Sequence, residues 1–144
     1  MELYLFKHKT GIEIRFADMD AFNHVNNANY LTYLEIARIK YFEEIADWKY
    51  DWSKKGIILA KAEINFIIPV EFRDEISVYT RCSRLGTKSF DLEYRVVRML
   101  KDKEQLMADG VTVMVAFDYD QKKSIEIPAE WKEAIRKFEC VEKL

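Results

Sequence analysis

The sequence predicts an α+β domain in which an antiparallel sheet wraps around one long central helix. Three observations support this fold class. The predicted elements follow one another as strand, long helix, four strands and short helix. Consecutive strands joined by short turns indicate antiparallel pairing. Only the long helix carries enough apolar residues to cover a whole face of such a sheet.

The first strand is predicted where Ile12, Ile14 and Phe16 alternate with charged residues, because a period of two is typical of a strand with one buried face. The long helix is predicted from about Asn27 to Asp47. At about 1.5 Å per residue it is roughly 30 Å long, about the diameter of a small domain. Apolar residues cover most of its circumference, which indicates a buried helix. They are Tyr30, Leu31, Tyr33, Leu34, Ile36, Ala37, Tyr41, Phe42 and Ile45.

Four further strands are predicted from a period-two pattern that begins after Gly56. They fall at about residues 58–68, 76–82, 90–96 and 106–117. A short helix begins at Pro128, since proline is favoured at helix starts. The first of these strands is predicted to bury one face, which is formed by Ile58, Ala60, Ala62, Ile64, Phe66 and Ile68.

Composition excludes several classes of function. The formal net charge is −2 and no basic stripe is present, which argues against a nucleic-acid partner. No apolar run approaches the roughly 20 residues that span a membrane. The start of the chain becomes charged too early for a signal peptide, so we expect a cytoplasmic protein with one domain over residues 1–144. Cys82, Cys140 and two distant histidines predict neither a disulfide framework nor a metal site, and no cofactor is expected.

The most unusual stretch is DMDAFNHVNN, from Asp18 to Asn27. It holds two carboxylates, three asparagines and one of the two histidines of the chain within ten residues. It is either a polar turn that precedes a helix or a reaction centre. The start of a long helix offers unpaired N–H groups and a favourable dipole for negative charge.

This stretch, with the order of elements around it, resembles the hotdog-fold acyl thioesterases. The segment DMDAFNHVNNANYLTYLEIAR is most similar to the 4-hydroxybenzoyl-CoA thioesterase-like branch, and NHVNN is also similar to the DxDxNxHVNN motif of plant acyl carrier protein thioesterases. The resemblance implies a hotdog fold with a five-stranded antiparallel sheet. It also implies a homo-oligomer, either a dimer or a tetramer, that hydrolyses an acyl thioester of coenzyme A or of acyl carrier protein.

The resemblance also assigns roles to three residues of the motif. Asp20 matches the catalytic carboxylate of the family, as nucleophile or as general base to water. Asn27 matches the position whose backbone N–H faces the thioester carbonyl. His24 matches the histidine of the plant motif and is either a catalytic helper or a loop residue that holds the backbone. Phe22 stands where the plant motif has an asparagine, which is a departure from that pattern.

The phosphates of coenzyme A require cations. The resemblance places the nucleotide near one end of the sheet, where the turn RLGTKS carries Arg84, Lys88 and Ser89. These three residues are the candidate coenzyme A-binding group.

Several other residues have a structural interpretation beside a functional one. Asp18 is predicted to cap the turn that follows the first strand, rather than to act in catalysis. Glu35 lies on the buried helix, where an ion pair with Arg38 is the simpler interpretation and a catalytic carboxylate is the alternative. The aromatic residues of the loop after the helix either line an acyl pocket or pack against the core. They are Trp48, Tyr50 and Trp52.

Two other functions remain open at this point. A hotdog hydratase or dehydratase would use an aspartate and a histidine to move protons at the acyl chain, and it would release no thiol. A non-catalytic acyl-thioester binding module would show saturable binding without turnover.

Overall fold

The computed structural model describes residues 1–46 and 51–141. Its strands are β1 (His8–Ile12), β2 (Lys55–Phe66), β3 (Ile76–Leu85), β4 (Ser89–Leu100), β5 (Lys103–Asp118) and β6 (Lys123–Ser124). Its helices are α1 (Asn27–Ala46) and α2 (Ala129–Glu139). The strands form one antiparallel sheet in the order β1-β3-β4-β5-β2, and the two-residue β6 pairs with β5. The predicted α+β architecture, an antiparallel sheet of five main strands around one long helix, is confirmed, and β6 is a two-residue addition to it.

The core lies between α1 and the inner face of the sheet. Each central strand alternates buried and partly exposed residues, as the period-two pattern predicts. Residues of α1 that face the sheet are buried with them, and they are Tyr30, Tyr33, Leu34, Ala37 and Tyr41. The helix therefore begins where the sequence predicts and fills the concave face of the sheet.

The first strand lies earlier in the chain than predicted. β1 ends at Ile12, which pairs with Ile76, the first residue of β3. β1 therefore cannot continue along β3 past Ile12. Phe16 begins a short 3-10 turn (Phe16–Asp18) and its side chain is 83% exposed. Alternation alone could not reveal this, because the end of β1 is set by where its partner strand begins.

β2 also departs from the predicted face. A bulge between Leu59 and Lys61 changes the phase of the strand. After the bulge, Ile64 packs against the core as predicted, but before it Ile57 does so instead of Ile58. Ile58 is 38% exposed. A single extra residue reverses the face of everything on one side of it, so the first half of the prediction was wrong.

The surface of α1 is less covered than its composition predicts. Leu31, Ile36 and Ile39 are 42%, 40% and 42% exposed in the single chain. β2, an edge strand of the sheet, likewise exposes Leu59. The apolar surface of the helix thus extends beyond the part that the sheet of the same chain can bury.

The aromatic loop after α1 is described only in part. Trp48 and Tyr50 lie outside the described residues. Trp52 is partly buried, with its ring centroid 6.0 Å from that of Phe42 and 5.0 Å from that of Trp131. For Trp52, packing against the core is therefore the better supported interpretation.

The carboxylate of Glu139, the last residue of α2, ties this helix to the rest of the fold. It accepts a 2.7 Å hydrogen bond from the Tyr41 hydroxyl and a 2.9 Å hydrogen bond from the Cys82 backbone N–H. Because Glu139 is buried, no water can take its place as the acceptor for these two donors. Burial also raises the pKa of the Cys82 thiol to about 12, whereas Cys140 is exposed; both cysteines are free.

Membrane-spanning helices and metal clusters are both absent from the part of the chain that the structure describes. No helix within residues 1–46 and 51–141 is long and apolar enough to cross a membrane. Over the same residues, no group of three or more histidine, cysteine, aspartate or glutamate side chains is arranged to hold a metal ion.

We predict that Glu139→Ala destabilises the fold by about 2–4 kcal/mol, because two buried donors lose their acceptor. Urea unfolding followed by tryptophan fluorescence measures this. Glu133→Ala is the control and is expected to stay near wild type, because Glu133 lies in the same helix but is exposed and forms no ion pair with the described residues. Equal midpoints for the two variants would contradict the role given to Glu139.

Candidate active site

The DMDAFNHVNN stretch forms a compact loop that returns to the start of α1. Asp20 donates its backbone N–H to the carbonyl of His24 at 3.1 Å, and Met19 and Val25 form an isolated antiparallel bridge. Asn23 adopts a left-handed conformation with φ 66°, which asparagine tolerates in turns. Val25 donates to the carbonyl of Val70 at 2.9 Å, which fixes the loop to the segment after β2.

The carboxylate of Asp20 is held at the tip of this loop. Its Oδ1 accepts the N–H of Phe22 at 2.9 Å, and its Oδ2 accepts a longer 3.4 Å bond from the Asn26 side-chain amide. Among the described residues no basic side chain forms an ion pair with it. Asp20 therefore keeps an oriented carboxylate with hydrogen-bonding capacity left for a water or a substrate.

The helix start beside Asp20 offers a free donor. Asn26 is the N-cap, since its Oδ1 accepts the N–H of Ala28 at 2.9 Å. The backbone N–H of Asn27, the first residue of α1, makes no hydrogen bond to the part of the chain that the structure describes. It is one of the donors that every helix leaves unpaired at its start, and the helix dipole adds to its attraction for negative charge.

These groups line one cavity of about 480 Å³. Its polar wall comes from Asp20, His24, Asn26 and Asn27. Its other walls are mostly apolar and come from the loop, the first turns of α1 and the end of β2. They include Phe22, Val25, Tyr30, Phe66, Ile67, Ile68 and Pro69. The structure thus brings the three predicted catalytic residues together beside an apolar surface.

His24 has two features that bear on its two interpretations. Its carbonyl closes the loop by accepting from Asp20. Its imidazole lines the cavity and forms no hydrogen bond or ion pair with the described residues. The backbone therefore holds the loop, while the ring is left available to a ligand.

Asp18 lies under the loop rather than in the cavity. Its side chain is 0% exposed. It accepts the Arg15 N–H at 3.0 Å, the Arg15 guanidinium at 2.6 and 3.0 Å and the Tyr33 hydroxyl at 2.7 Å. Burial alone would raise the pKa of Asp18, but the hydrogen bonds from Arg15 and Tyr33 outweigh burial and lower it. The predicted turn-capping role agrees with this geometry, although the partner Tyr33 carried no signal in the sequence.

The predicted ion pair between Glu35 and Arg38 is absent from the described residues. Arg38 turns toward the sheet and donates to the Tyr94 hydroxyl at 3.2 Å. Glu35 is exposed and lines a second cavity of about 420 Å³ together with Arg38. Glu35 lies eight residues after Asn27, or about 12 Å along the helix, so it is not part of the cavity at Asp20.

The candidate coenzyme A-binding residues lie at the other end of the sheet. Arg84 donates to Ser89 at 2.9 Å and to Asp91 at 2.7 Å, so its charge is already paired, whereas Lys88 is exposed. Ser89 pairs with Val115 of β5, whereas Phe66 in the cavity pairs with Ala108. Seven residues of strand separate these positions, which is about 23 Å. Within one chain the two predicted groups are therefore not brought together.

Comparison with known proteins identifies the family. The chain matches the family described as the thioesterase-like superfamily over residues 14–135. It is 25% identical over 131 residues to the long-chain acyl-CoA thioesterase FadM of Escherichia coli (strain K12), with 90% of this chain and 98% of FadM covered.

Solved structures agree with this match. A thioesterase from Thermus thermophilus, solved in complex with coenzyme A and zinc, is 31% identical with a TM-score of 0.81, covering 97% of this chain and 98% of that one. A mutant 4-hydroxybenzoyl-CoA thioesterase, solved in complex with 4-hydroxybenzoyl-CoA, is 21% identical with a TM-score of 0.82, covering 88% of this chain and 96% of that one. These similarities confirm the predicted hotdog fold. With the motif loop at the start of α1 and a family match over most of its length, the chain belongs to the thioesterase-like superfamily.

Proposed function

We propose that this protein hydrolyses acyl thioesters of coenzyme A, with Asp20 as the reacting carboxylate and the Asn27 N–H as the oxyanion donor. The observation that carries the proposal is that an oriented carboxylate and an unpaired helix-start N–H line the same cavity. Similarity to the long-chain acyl-CoA thioesterase FadM and to the coenzyme A-bound thioesterase from Thermus thermophilus supports the substrate class. Acyl carrier protein remains an alternative carrier.

The first step places the thioester carbonyl at the start of α1. The carbonyl oxygen accepts the Asn27 N–H, and negative charge that develops on this oxygen meets the positive end of the helix dipole. One such donor, fixed in place before the reaction, typically lowers the barrier by about 3–4 kcal/mol. The hydrogen bonds that Asp20 accepts fix the orientation of its carboxylate in the same cavity.

Asp20 can act in two ways from this position. As a general base it takes a proton from a water, which adds to the carbonyl carbon; the tetrahedral intermediate then expels the thiolate, which is finally protonated. As a nucleophile it attacks the carbonyl carbon, expels the thiolate and forms a mixed anhydride that water hydrolyses. His24 lines the same cavity, and in either case we expect its imidazole to orient the water or the substrate.

We predict that Asp20→Asn lowers kcat/KM by at least about a hundredfold, because the amide can neither take a proton nor attack the carbonyl. Thiol release, followed with a thiol-reactive dye over a panel of acyl-CoAs, measures this. Asp102→Asn, in the exposed turn between β4 and β5, is a control with the same chemical change. Turnover that survives Asp20→Asn would place the chemistry elsewhere, with His24 and Glu35 as the next residues to test.

The same panel separates the alternative functions. A hydratase or dehydratase changes the absorbance of an enoyl-CoA without releasing thiol. A binding module would show saturable binding of acyl-CoA with no turnover by the wild-type protein.

We further propose that the protein forms a homodimer through β2, and that a tetramer would be built from such dimers. β2 is an edge strand with an unpaired side. Ile39 of α1 and Leu59 of β2 line one cavity and are 42% and 44% exposed, and Leu31 of α1 is also 42% exposed. A two-fold axis that pairs two β2 strands antiparallel buries this surface. The same axis pairs the end of one β2, near Asp20, with the start of β2 in the other copy. The start of β2 lies at the same end of the sheet as the turn from Arg84 to Ser89.

This arrangement would make the coenzyme A site shared between two chains. The separation of about 23 Å within one chain would be bridged, because antiparallel pairing reverses the direction of the second sheet. Lys88 and the Arg84–Ser89 pair of one copy would then meet the nucleotide of a thioester bound at Asp20 of the other. We also propose that the protein is cytoplasmic and that residues 1–144 form a single domain.

We predict that Ile39→Glu weakens the dimer at least tenfold and lowers kcat/KM in parallel, because a carboxylate replaces an apolar contact and the shared site separates. Sedimentation velocity over a range of concentrations, with activity measured on the same samples, tests this. Lys40→Gln changes the net charge by the same amount on another side of α1 and serves as the control. A wild-type protein that is fully active as a monomer would contradict the proposal.

A further inference from the structure

A polar cluster centred on the buried carboxylate of Asp18 lies beside the loop that carries Asp20. Asp18 is 0% exposed and Tyr33 is 1% exposed, and the hydroxyl of Tyr33 donates to Asp18 Oδ2 at 2.7 Å. Arg15 contributes both its backbone N–H and its guanidinium to the same carboxylate. None of the three residues lines the cavity that holds Asp20. The mechanism proposed above therefore makes no direct use of them.

The main chain of Asp18 is bound as firmly as its side chain. Its carbonyl accepts the backbone N–H of Asn26 at 2.8 Å and the side-chain amide of Asn29 at 3.0 Å. Asn26 is the cap of α1, and Asn29 lies in its first turn. The carboxylate of Asp18 is thus attached to the second turn of α1 through Tyr33, while its carbonyl is attached to the helix start.

These contacts fix both ends of the segment that carries the carboxylate of Asp20. The segment leaves Asp18, passes through Asp20 and His24, and returns at Asn26 to the carbonyl of Asp18. Its position relative to α1 is therefore set by Asp18. In the proposed mechanism the reacting carboxylate of Asp20 lies within this closed loop, and the oxyanion donor, Asn27, directly follows the residue that closes it.

We propose that Asp18 is a positioning residue, which acts through Tyr33 and Arg15 to hold Asp20 in register with the N–H of Asn27. This inference rests on the proposed function. A displacement of about 1 Å between reacting groups can cost on the order of a hundredfold in rate. Asp18 exchanges no proton with the substrate, because Arg15 and Tyr33 occupy its oxygens and keep the pKa of the carboxyl low.

The chain supplies a matched control at the other end of α1. The buried carboxylate of Glu139 accepts the hydroxyl of Tyr41 at 2.7 Å, just as that of Asp18 accepts the hydroxyl of Tyr33. The Glu139 pair joins α2 to α1 and does not line the cavity at Asp20. Removing either pair disturbs a buried carboxylate–tyrosine contact, but only one of the two contacts lies under the loop.

The experiment compares Asp18→Asn and Tyr33→Phe with Glu139→Gln and Tyr41→Phe. Thermal midpoints, and kcat and KM for thiol release from acyl-CoA, are measured for each. Both pairs of variants are expected to lower the thermal midpoint. Asp18→Asn and Tyr33→Phe are expected to lower kcat at least tenfold with KM within twofold, and the control variants to keep kcat within twofold. The double variant Asp18→Asn/Tyr33→Phe is expected to lose little more than the worse single variant, because both act through one contact.

A pH profile separates positioning from proton transfer. The shape of kcat against pH is expected to stay unchanged in Asp18→Asn, with the whole curve lowered. A profile that loses its acidic limb in this variant would make Asp18 the proton acceptor and overturn the proposal. A kcat within twofold of wild type at a lowered thermal midpoint would make its role one of stability alone.

A second measurement does not depend on activity. Amide hydrogen exchange of residues 19–27 is expected to accelerate at least tenfold in Tyr33→Phe and to stay at the wild-type rate in Tyr41→Phe. Unchanged exchange of this loop in Tyr33→Phe overturns the positioning role, whatever the kinetics show. Failure of the proposed function is a distinct result, since it appears as absent thiol release by the wild type or as full activity of Asp20→Asn.

Discussion

The requirement that buried polar groups be hydrogen-bonded governs how α1 is seated in this fold. Two tyrosines of the helix project their hydroxyls into the protein, and each hydroxyl donates a 2.7 Å bond to a buried carboxylate. Tyr33 meets Asp18 near the start of the helix, and Tyr41 meets Glu139 near its end. Hydrophobic contact with the sheet is not directional, but these two bonds are, so they specify the rotation and the depth at which the helix packs. A helix without them would still be attracted to the sheet, but its position along and around its axis would be less sharply defined.

The same contacts position the start of the helix at the candidate site. The loop before α1 is closed by its own backbone and tied to the cap residue Asn26, so Asn27, the first residue of the helix, lines the same cavity as Asp20. The carboxylate of Asp20 is turned into the same cavity by the N–H of Phe22. The contacts that fix the position of the helix therefore also fix the groups of the candidate site at its start.

The sequence predicted the elements that are decided by local pattern. α1 begins at Asn27 as predicted, and β3, β4 and β5 follow the period-two pattern over most of their length because the helix covers their inner face. Irregularities in the pairing of β3 with β4 and of β4 with β5 interrupt this pattern. The motif resemblance also placed Asp20, His24 and Asn27 together, and the structure shows all three around one cavity.

The failures occurred where distant parts of the chain decide the outcome. The end of β1 depends on where β3 begins, and the face of β2 depends on a bulge whose position alternation does not reveal. Arg38 leaves Glu35 because the Tyr94 hydroxyl of the sheet lies within its reach. The carboxylate–hydroxyl contact between Asp18 and Tyr33 spans a loop and two turns of helix, and nothing in the spacing of the two residues indicates it.

The bond between Asp20 and position 22 has one more consequence. Asp20 accepts a backbone N–H there, not a side chain, so the orientation of its carboxylate does not depend on which residue occupies that position. The side chain of Phe22 is 80% exposed at the mouth of the cavity and supports nothing in the fold. Position 22 can therefore change while the carboxylate keeps its direction. The wall of the cavity at Phe22 and the orientation of the Asp20 carboxylate are therefore independent of each other, so the shape of the cavity can be altered at position 22 without turning the carboxylate.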